Sequence, residues 1–124
     1  MIFRRTLLFA YILFILLIIV LPINSKGSKI NNTFFFDLRV DYICHSILFF
    51  PWMFLLPTKT IHVHGFKWFC FGLFFAIFTE TIQLFLSYRA FNLNDIAANI
   101  FGIFASLLLL ILMNRIHFFE KINN

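Results

Sequence analysis

The chain has 124 residues, of which 62% are apolar, 21 are phenylalanine and only 12% are charged. This composition excludes an ordinary soluble domain and indicates an integral membrane protein. The formal net charge of +5 comes from basic residues scattered between apolar runs, which excludes the basic stripe of a nucleic-acid-binding protein. Each crossing of roughly 30 Å of hydrocarbon takes about 20 residues. We therefore expect a single domain over residues 1–124, an all-α bundle of about four transmembrane helices.

Four apolar stretches have the length of transmembrane helices. We predict helices over residues 3–21, 40–56, 66–86 and 95–113, followed by an amphipathic or frayed tail over 114–124. The first helix follows Arg4 and Arg5. It is not followed by a small-x-small cleavage pattern, which favours an uncleaved span over a signal peptide. In the second helix we expect Pro51 to introduce a kink and Pro57 to end the helix.

Histidines and cysteines give no indication of a metal site. His62 and His64 lie in a short polar turn before the third predicted helix, and two loop histidines without further ligands are usually solvated. Cys44 and Cys70 lack the CxxC or CxxH spacing of a zinc site. We expect both cysteines to be small buried apolar residues. The sequence therefore predicts no metal and no cofactor.

The basic residues predict the orientation of the bundle. If both termini face the cytoplasm, six basic residues lie on the inner side and four on the outer side, in agreement with the positive-inside rule. The six are Arg4, Arg5, Lys59, Lys67, Arg115 and Lys121, and the four are Lys26, Lys29, Arg39 and Arg89. On this topology the chain is a multi-pass protein of the cell membrane, and its unusual polar residues converge on the extracytoplasmic side.

Nine polar or small residues stand out from the apolar sequence around them. They are Asp41, His45, Glu80, Gln83, Arg89, Asp95, Asn99, Gly102 and Ser106. Spacings of three and four residues place the members of each helix on one face. Because a charged side chain within hydrocarbon costs on the order of 3 kcal/mol unless it is partnered, we expect a shared polar pocket. Gly102 and Ser106 continue the face of the fourth helix as small residues that permit close helix packing.

Two motifs carry a resemblance to a known family. The first reads Glu-x-x-Gln-x-Phe-x-x-x-Arg, then Asp-x-x-x-Asn-x-x-Gly after five further residues, and runs from Glu80 to Gly102. The second is Asp-x-x-x-His, from Asp41 to His45. Together they resemble the signature of VanZ-like membrane proteins over about residues 41–106. The departures from that signature are Tyr42, Ser87, Asn92 and Ser106. The resemblance implies an association with glycopeptide resistance, chiefly to teicoplanin, through an accessory membrane protein.

The residues of the first motif have structural as well as functional interpretations. Glu80, Arg89 and Asp95 form either an ion-pair network that holds the third and fourth helices together or part of a ligand site. Asp95 alone is typical of a helix cap. For Gln83 and Asn99, hydrogen bonds between helices come first and substrate contact second.

The residues of the second motif are equally ambiguous. Asp41 and His45 fit a helix cap followed by an interfacial histidine, and they also fit a general base with its orienting carboxylate. We slightly favour the structural interpretation.

Three functions are compatible with these patterns. We favour a non-enzymatic accessory role in which the pocket binds an envelope component or an envelope-directed glycopeptide, with Arg89 engaging an anionic group. The alternative is an intramembrane enzyme or carrier acting on a lipid-linked cell-wall precursor, with Glu80 or His45 transferring a proton. The third is an assembly partner in a larger complex. The expected partners are the lipid bilayer and one of these ligands, and no catalytic residue is assigned.

Overall fold

The protein is built almost entirely of helices. The computed structural model describes residues 2–21, 33–35, 38–56, 61–89 and 91–123. Its helices are α1 (Ile2–Val20), α2 (Val40–Phe49), a 3-10 helix (Phe50–Leu55), α3 (Ile61–Gln83) and α4 (Leu93–Asn123). Directly before α2, the two-residue strands β1 (Phe34–Phe35) and β2 (Leu38–Arg39) pair antiparallel, with Phe34 opposite Arg39 and Phe35 opposite Leu38.

Three helices in the described part of the chain are long and apolar enough to cross a membrane. They cover Phe3–Val20, His64–Gln83 and Leu93–Ile116. The segment Val40–Leu55, formed by α2 and the 3-10 helix, is apolar but shorter. At about 1.5 Å per α-helical residue and about 2.0 Å per 3-10 residue it rises roughly 27 Å, close to the hydrocarbon thickness. The predicted all-α membrane bundle is confirmed.

Contacts at both ends show that the four helical segments alternate in direction. At one end, Arg4 near the start of α1 donates to the carbonyl of Phe54 near the end of the 3-10 helix (2.9 Å). At the other end, the hydroxyl of Tyr88, which follows α3, donates to the carbonyl of Val20, the last residue of α1. We call this second end the polar end: α1 and α3 end there, and α2 and α4 begin there.

The helices α2 and α4 run parallel and pack closely. Tyr42 lies opposite Asn94, and Ser46 lies opposite Ala98, with the Ser46 hydroxyl 3.0 Å from the Ala98 carbonyl. Gly102 permits this approach, because a Cβ atom there would collide with the carbonyl oxygen of Ser46. Membrane helices pack closely through small and hydroxyl-bearing residues, because apolar side chains gain no hydrophobic stabilisation when they move from lipid to a helix interface.

The core lies beside a stacked tryptophan pair. Pro51 at the start of the 3-10 helix cannot donate a backbone hydrogen bond, and the helix changes there from α to 3-10 geometry, at Phe50; the kink itself stays a prediction. This change places Trp52 in the core, fully buried and stacked on Trp68 with ring centres 4.8 Å apart. Each indole donates to the other residue's carbonyl, at 3.1 and 2.9 Å. Gly72 makes room for the Trp52 ring.

Some helix ends differ from those predicted. The helix α3 covers 61–83 rather than 66–86, so the predicted polar turn around His62 and His64 is helical from Ile61 onwards. The helix α4 begins at Leu93 and continues through the predicted tail to Asn123. Positions 26, 29, 57 and 59, named above for a helix end or for charge, lie outside the described residues.

The prediction that the two cysteines are buried is wrong. Cys44 on α2 and Cys70 on α3 are both free and exposed. The reason is the solvent: apolar side chains of a membrane bundle are stable against lipid, so an apolar environment in the sequence does not imply a buried position.

We predict that Gly102→Ala destabilises the bundle. The added methyl would meet the Ser46 main chain, which cannot rotate away as a side chain could, and such overpacking typically costs about 1–3 kcal/mol. Alanine gains about 1 kcal/mol of intrinsic helix propensity over glycine, so a net loss identifies the clash. Thermal unfolding in detergent measures the effect. Ala10→Leu, a larger addition at an exposed position of α1, is the control and should leave the unfolding temperature unchanged.

Candidate functional site

Polar side chains line a cavity of about 270 Å³ at the polar end. They come from the β2–α2 junction, from α3, from the α3–α4 connection and from α4. The lining residues are Arg39, Asp41, Tyr42, His45, Gln83, Arg89, Phe91, Asn92, Asn94 and Asp95. Of the seven polar residues singled out in the sequence, only Glu80 and Asn99 are outside this lining, and both bond to a residue within it.

The two small residues predicted to pack helices lie below the cavity on α4. Gly102 is buried against Ser46 of α2. Ser106 is fully buried, and its hydroxyl donates to the carbonyl of Ile103 in its own helix (2.8 Å). The stripe that begins with polar groups at the cavity therefore continues as a tight packing face.

His45 is held by α4 and not by the aspartate one turn earlier in its own helix. Its Nδ1 lies 3.0 Å from Oδ1 of Asn99. With Nδ1 donating to that oxygen, Nε2 faces Oδ2 of Asp95 at 3.8 Å. The imidazole is thus oriented by an amide on one side and placed next to a carboxylate on the other.

A second group of polar contacts lies at the mouth of the cavity. Arg39 forms an ion pair with Asp41, with 2.6 Å between Nη2 and Oδ2, and lies over the ring of Tyr42, 4.7 Å from its centre. The Tyr42 oxygen accepts hydrogen bonds from Arg39 Nη1 and from the Asn94 amide, both at 3.1 Å. A phenol that accepts two hydrogen bonds keeps its own proton for a further acceptor. Asp41 therefore partners Arg39 and does not orient His45. The favoured expectation that Asp41 caps α2 is wrong, because Arg39 is the residue before the helix and no side chain caps it.

Asn92 caps α4, and the expectation that Asp95 is the cap is wrong. Because α4 begins at Leu93, Asn92 is the residue before the helix, and its Oδ1 accepts from the main-chain NH of Asn94 (3.1 Å). Its amide donates to Asp95 Oδ1 (2.9 Å), and its own main-chain NH donates to Glu80 Oε1 (3.0 Å). Asn92 thus links α3 to α4 through three hydrogen bonds.

Two polar groups on consecutive turns of α3 have unused hydrogen-bonding capacity. Glu80 is fully buried, and its Oε2 has no hydrogen-bond partner among the described residues. Gln83 is only 4% exposed and lines the cavity, and its side-chain amide has no partner in the same part of the chain. The direct ion pair expected between Glu80 and Arg89 is not formed, because Glu80 instead accepts from the Asn92 main chain. Buried polar groups are almost always hydrogen-bonded, so the unused groups of Glu80 and Gln83 are exceptions within the described part of the chain.

Arg89 fastens the α3–α4 connection to the end of α1. Its Nη2 lies 2.9 Å from the carbonyl of Ile18 and 2.7 Å from that of Leu21, and Tyr88 donates to Val20 beside it. The last carbonyls of a helix have no partner within the helix and carry its negative dipole end, which a guanidinium stabilises. Burial lowers the pKa of Arg89, and nearby anionic groups oppose this shift. The residue stays charged at neutral pH.

Comparison with known proteins identifies the family. A family model described as VanZ/LLP1 matches residues 8–114. The chain belongs to the VanZ/LLP1 family. The predicted VanZ-like resemblance is thereby confirmed, and the matched range includes every residue that lines the cavity. Neither the comparison with curated proteins nor the comparison with solved structures gave a match.

Four polar lining residues of this VanZ/LLP1 protein were not among the predicted site residues. They are Arg39, Tyr42, Asn92 and Asn94. Asn92 could have been found from the sequence, because an asparagine followed three residues later by an acidic residue is typical of a helix start. The other three give no such signal, since only the packing of α2 against α4 brings them together. Among the described residues, no group of three or more His, Cys, Asp or Glu side chains could hold a metal.

We predict that Arg89→Ala destabilises the protein whether or not a ligand is present. The carbonyls of Ile18 and Leu21 would lose a charged donor, and such a hydrogen bond contributes roughly 2 kcal/mol. Thermal unfolding in detergent measures the loss. Arg115→Ala, which removes the same charge from an exposed position of α4, is the control. Equal stability of the two variants would show that Arg89 does not hold α1.

Proposed function

We propose that this VanZ/LLP1 protein is a non-enzymatic accessory protein of the cell envelope. On this proposal its cavity binds the polar part of an envelope component or of an envelope-directed glycopeptide. The observation that carries the proposal is Gln83, which lines the cavity, has only 4% of its surface exposed and makes no side-chain hydrogen bond to the described residues. Membership of the VanZ/LLP1 family supports the association with the envelope and with glycopeptide resistance.

The charges of the cavity suit a ligand that carries both donors and acceptors. Arg39 and Arg89 provide positive charge, Asp41 and Asp95 provide negative charge, and amides lie between them. Arg89 is buried against the end of α1, whereas Arg39 lies at the mouth with 26% of its side chain exposed, so we assign the contact with an anionic ligand group to Arg39. Donor groups of the ligand then meet the carboxylates deeper in the cavity.

The proposed orientation places the cavity outside the cell. We propose a multi-pass protein of the cell membrane with both termini in the cytoplasm. The alternating direction of the four helical segments supports this, because it brings the start of α1 and the end of α4 to the end of the bundle opposite the cavity. Arg4 and Arg115 also lie towards that opposite end, as the positive-inside rule requires of a cytoplasmic side.

We predict that a susceptible Gram-positive host expressing the chain tolerates more teicoplanin, and that Gln83→Leu abolishes this protection. Leucine has a similar size but cannot hydrogen-bond to a ligand in the cavity. The minimal inhibitory concentration at matched membrane abundance is the measurement. Ser87→Ala is the control, because Ser87 is exposed and does not line the cavity. If Gln83→Leu protects the host as well as the parent does, the cavity does not bind the ligand on which protection depends.

The geometry of His45 favours a second candidate, proton transfer in an intramembrane enzyme that acts on a lipid-linked precursor. The imidazole is oriented by Asn99 through Nδ1, and its Nε2 lies 3.8 Å from the carboxylate of Asp95, so a proton can pass between these two groups. Glu80, with one oxygen unpartnered in the described part of the chain, is the other proton carrier that we propose.

We predict, for this second candidate, that turnover of a labelled lipid-linked precursor falls at least 100-fold in His45→Gln, the lower end of what a general base contributes. His64→Gln, a change at an exposed histidine near the start of α3, should turn over the precursor like the parent. The absence of turnover by the parent protein across envelope lipids would favour the accessory role.

A further inference from the structure

A large apolar groove lies beside the polar cavity, between α2 and α4. Its volume is about 620 Å³, and it is lined mainly by Ile43 and Ile47 of α2 and by Ala97 and Phe101 of α4. Ile47 is 66% exposed and Phe101 is 65% exposed. On a bundle that spans a membrane, such a surface faces hydrocarbon. The groove is therefore open to lipid chains along its length.

The groove and the cavity share a boundary. Tyr42 and Asn94 line both, and the Asn94 amide donates to the Tyr42 oxygen at 3.1 Å. Arg39 reaches the same point, because its Nη1 donates to that oxygen. A hydrocarbon surface thus meets a cluster of hydrogen-bond donors, and the cavity with its carboxylates lies on the other side of the cluster.

We infer that the groove and the cavity form one binding site for a membrane phospholipid whose headgroup carries an amine or hydroxyl. The hydrocarbon chain lies in the groove, the phosphate lies at Arg39, Tyr42 and Asn94, and the headgroup enters the cavity. This inference rests on the proposed function and names the class of envelope component that the cavity takes.

Charge complementarity carries the assignment of each part of the lipid. A phosphate is matched by the guanidinium of Arg39, by the Tyr42 hydroxyl proton and by the Asn94 amide. Beyond them the cavity presents the Asp95 carboxylate and the amide of Gln83, which has no partner among the described residues. Those groups accept hydrogen bonds, so an ammonium or hydroxyl group satisfies them, whereas a trimethylated ammonium has no donor to offer.

The test compares two lipids that differ only in the headgroup donor. The purified full-length protein is mixed in detergent with equal amounts of phosphatidylethanolamine and phosphatidylcholine of identical chains, and bound lipid is counted by native mass spectrometry. We expect at least tenfold more bound phosphatidylethanolamine. Equal retention of the two lipids would overturn the inference, because the cavity would then not discriminate between the two headgroups.

Variants separate the groove from the cavity. Ala97→Phe fills the groove and should lower the retention of both lipids at least tenfold, whereas Ala10→Phe, the same change at an exposed position of α1, should retain lipid like the parent. Ile47→Trp is a second groove variant in case Ala97→Phe does not fold. Gln83→Leu should bring the ratio of the two lipids close to one. Parental lipid binding by a folded groove variant would overturn the inference.

A soluble headgroup distinguishes failure of the inference from failure of the proposed function. Glycerophosphoethanolamine carries the phosphate and the amine without hydrocarbon chains, so we expect it to bind weakly and to bind the parent and Ala97→Phe equally. If the soluble headgroup binds as expected while the groove variants retain lipid like the parent, the groove is not part of the lipid site, and the proposal that the cavity binds a polar group is kept. If Gln83→Leu changes neither the binding of the soluble headgroup nor the ratio of the two lipids, the proposal that the cavity binds a ligand is rejected as well.

Discussion

The parallel contact between α2 and α4 is the interaction on which the rest of the structure depends. Ser46 lies against Gly102 so closely that no larger residue fits at position 102. This approach brings His45 within hydrogen-bond distance of Asn99, one helical turn nearer the polar end. Because lipid provides no hydrophobic force that would press helices together, close packing and hydrogen bonds between helices have to supply the association. The cavity and the groove are both consequences of where these two helices meet.

The charged residues of the polar end form hydrogen bonds with main-chain groups that have no partner within a helix. The described residues of the connection between α3 and α4 are not helical, so their main-chain groups need partners outside a helix, and buried main-chain groups without partners are costly. Arg89 and Tyr88 satisfy carbonyls at the end of α1, and Glu80 accepts the main-chain NH of Asn92. Charged side chains thus partner the backbone as well as each other. One oxygen of Glu80, Nε of Arg39 and the side-chain amide of Gln83 are not used by any described protein group.

Helical spacing in the sequence was enough to place Asp95, Asn99, Gly102 and Ser106 on one face of α4, and all four are buried. Composition was enough for the membrane class, since a chain so rich in apolar residues has no soluble alternative. The hydrogen-bond partners of the polar side chains could not be predicted, because they depend on how the helices are arranged in space.

Three positions show why. Arg89 was matched to Glu80, nine residues away, but it donates to α1, which is about 70 residues distant in sequence. For His45 the sequence offered an interfacial position or a pairing with Asp41 in its own helix, but His45 is held by Asn99 of α4. Asp95 was expected to cap α4, but the helix begins two residues earlier, and Asn92 takes that position.

The most direct measurement is a solid-state NMR distance experiment on the isotopically labelled protein in lipid bilayers. It would look for a through-space correlation between the carbonyl carbon of Ser46 and the α-carbon of Gly102, with the side chains of His45 and Asn99 as a second pair. The account predicts both correlations at short mixing times. If neither pair shows a correlation while contacts within α2 and within α4 are intact, the two helices do not meet as described. The cavity and the groove would then have no structural basis.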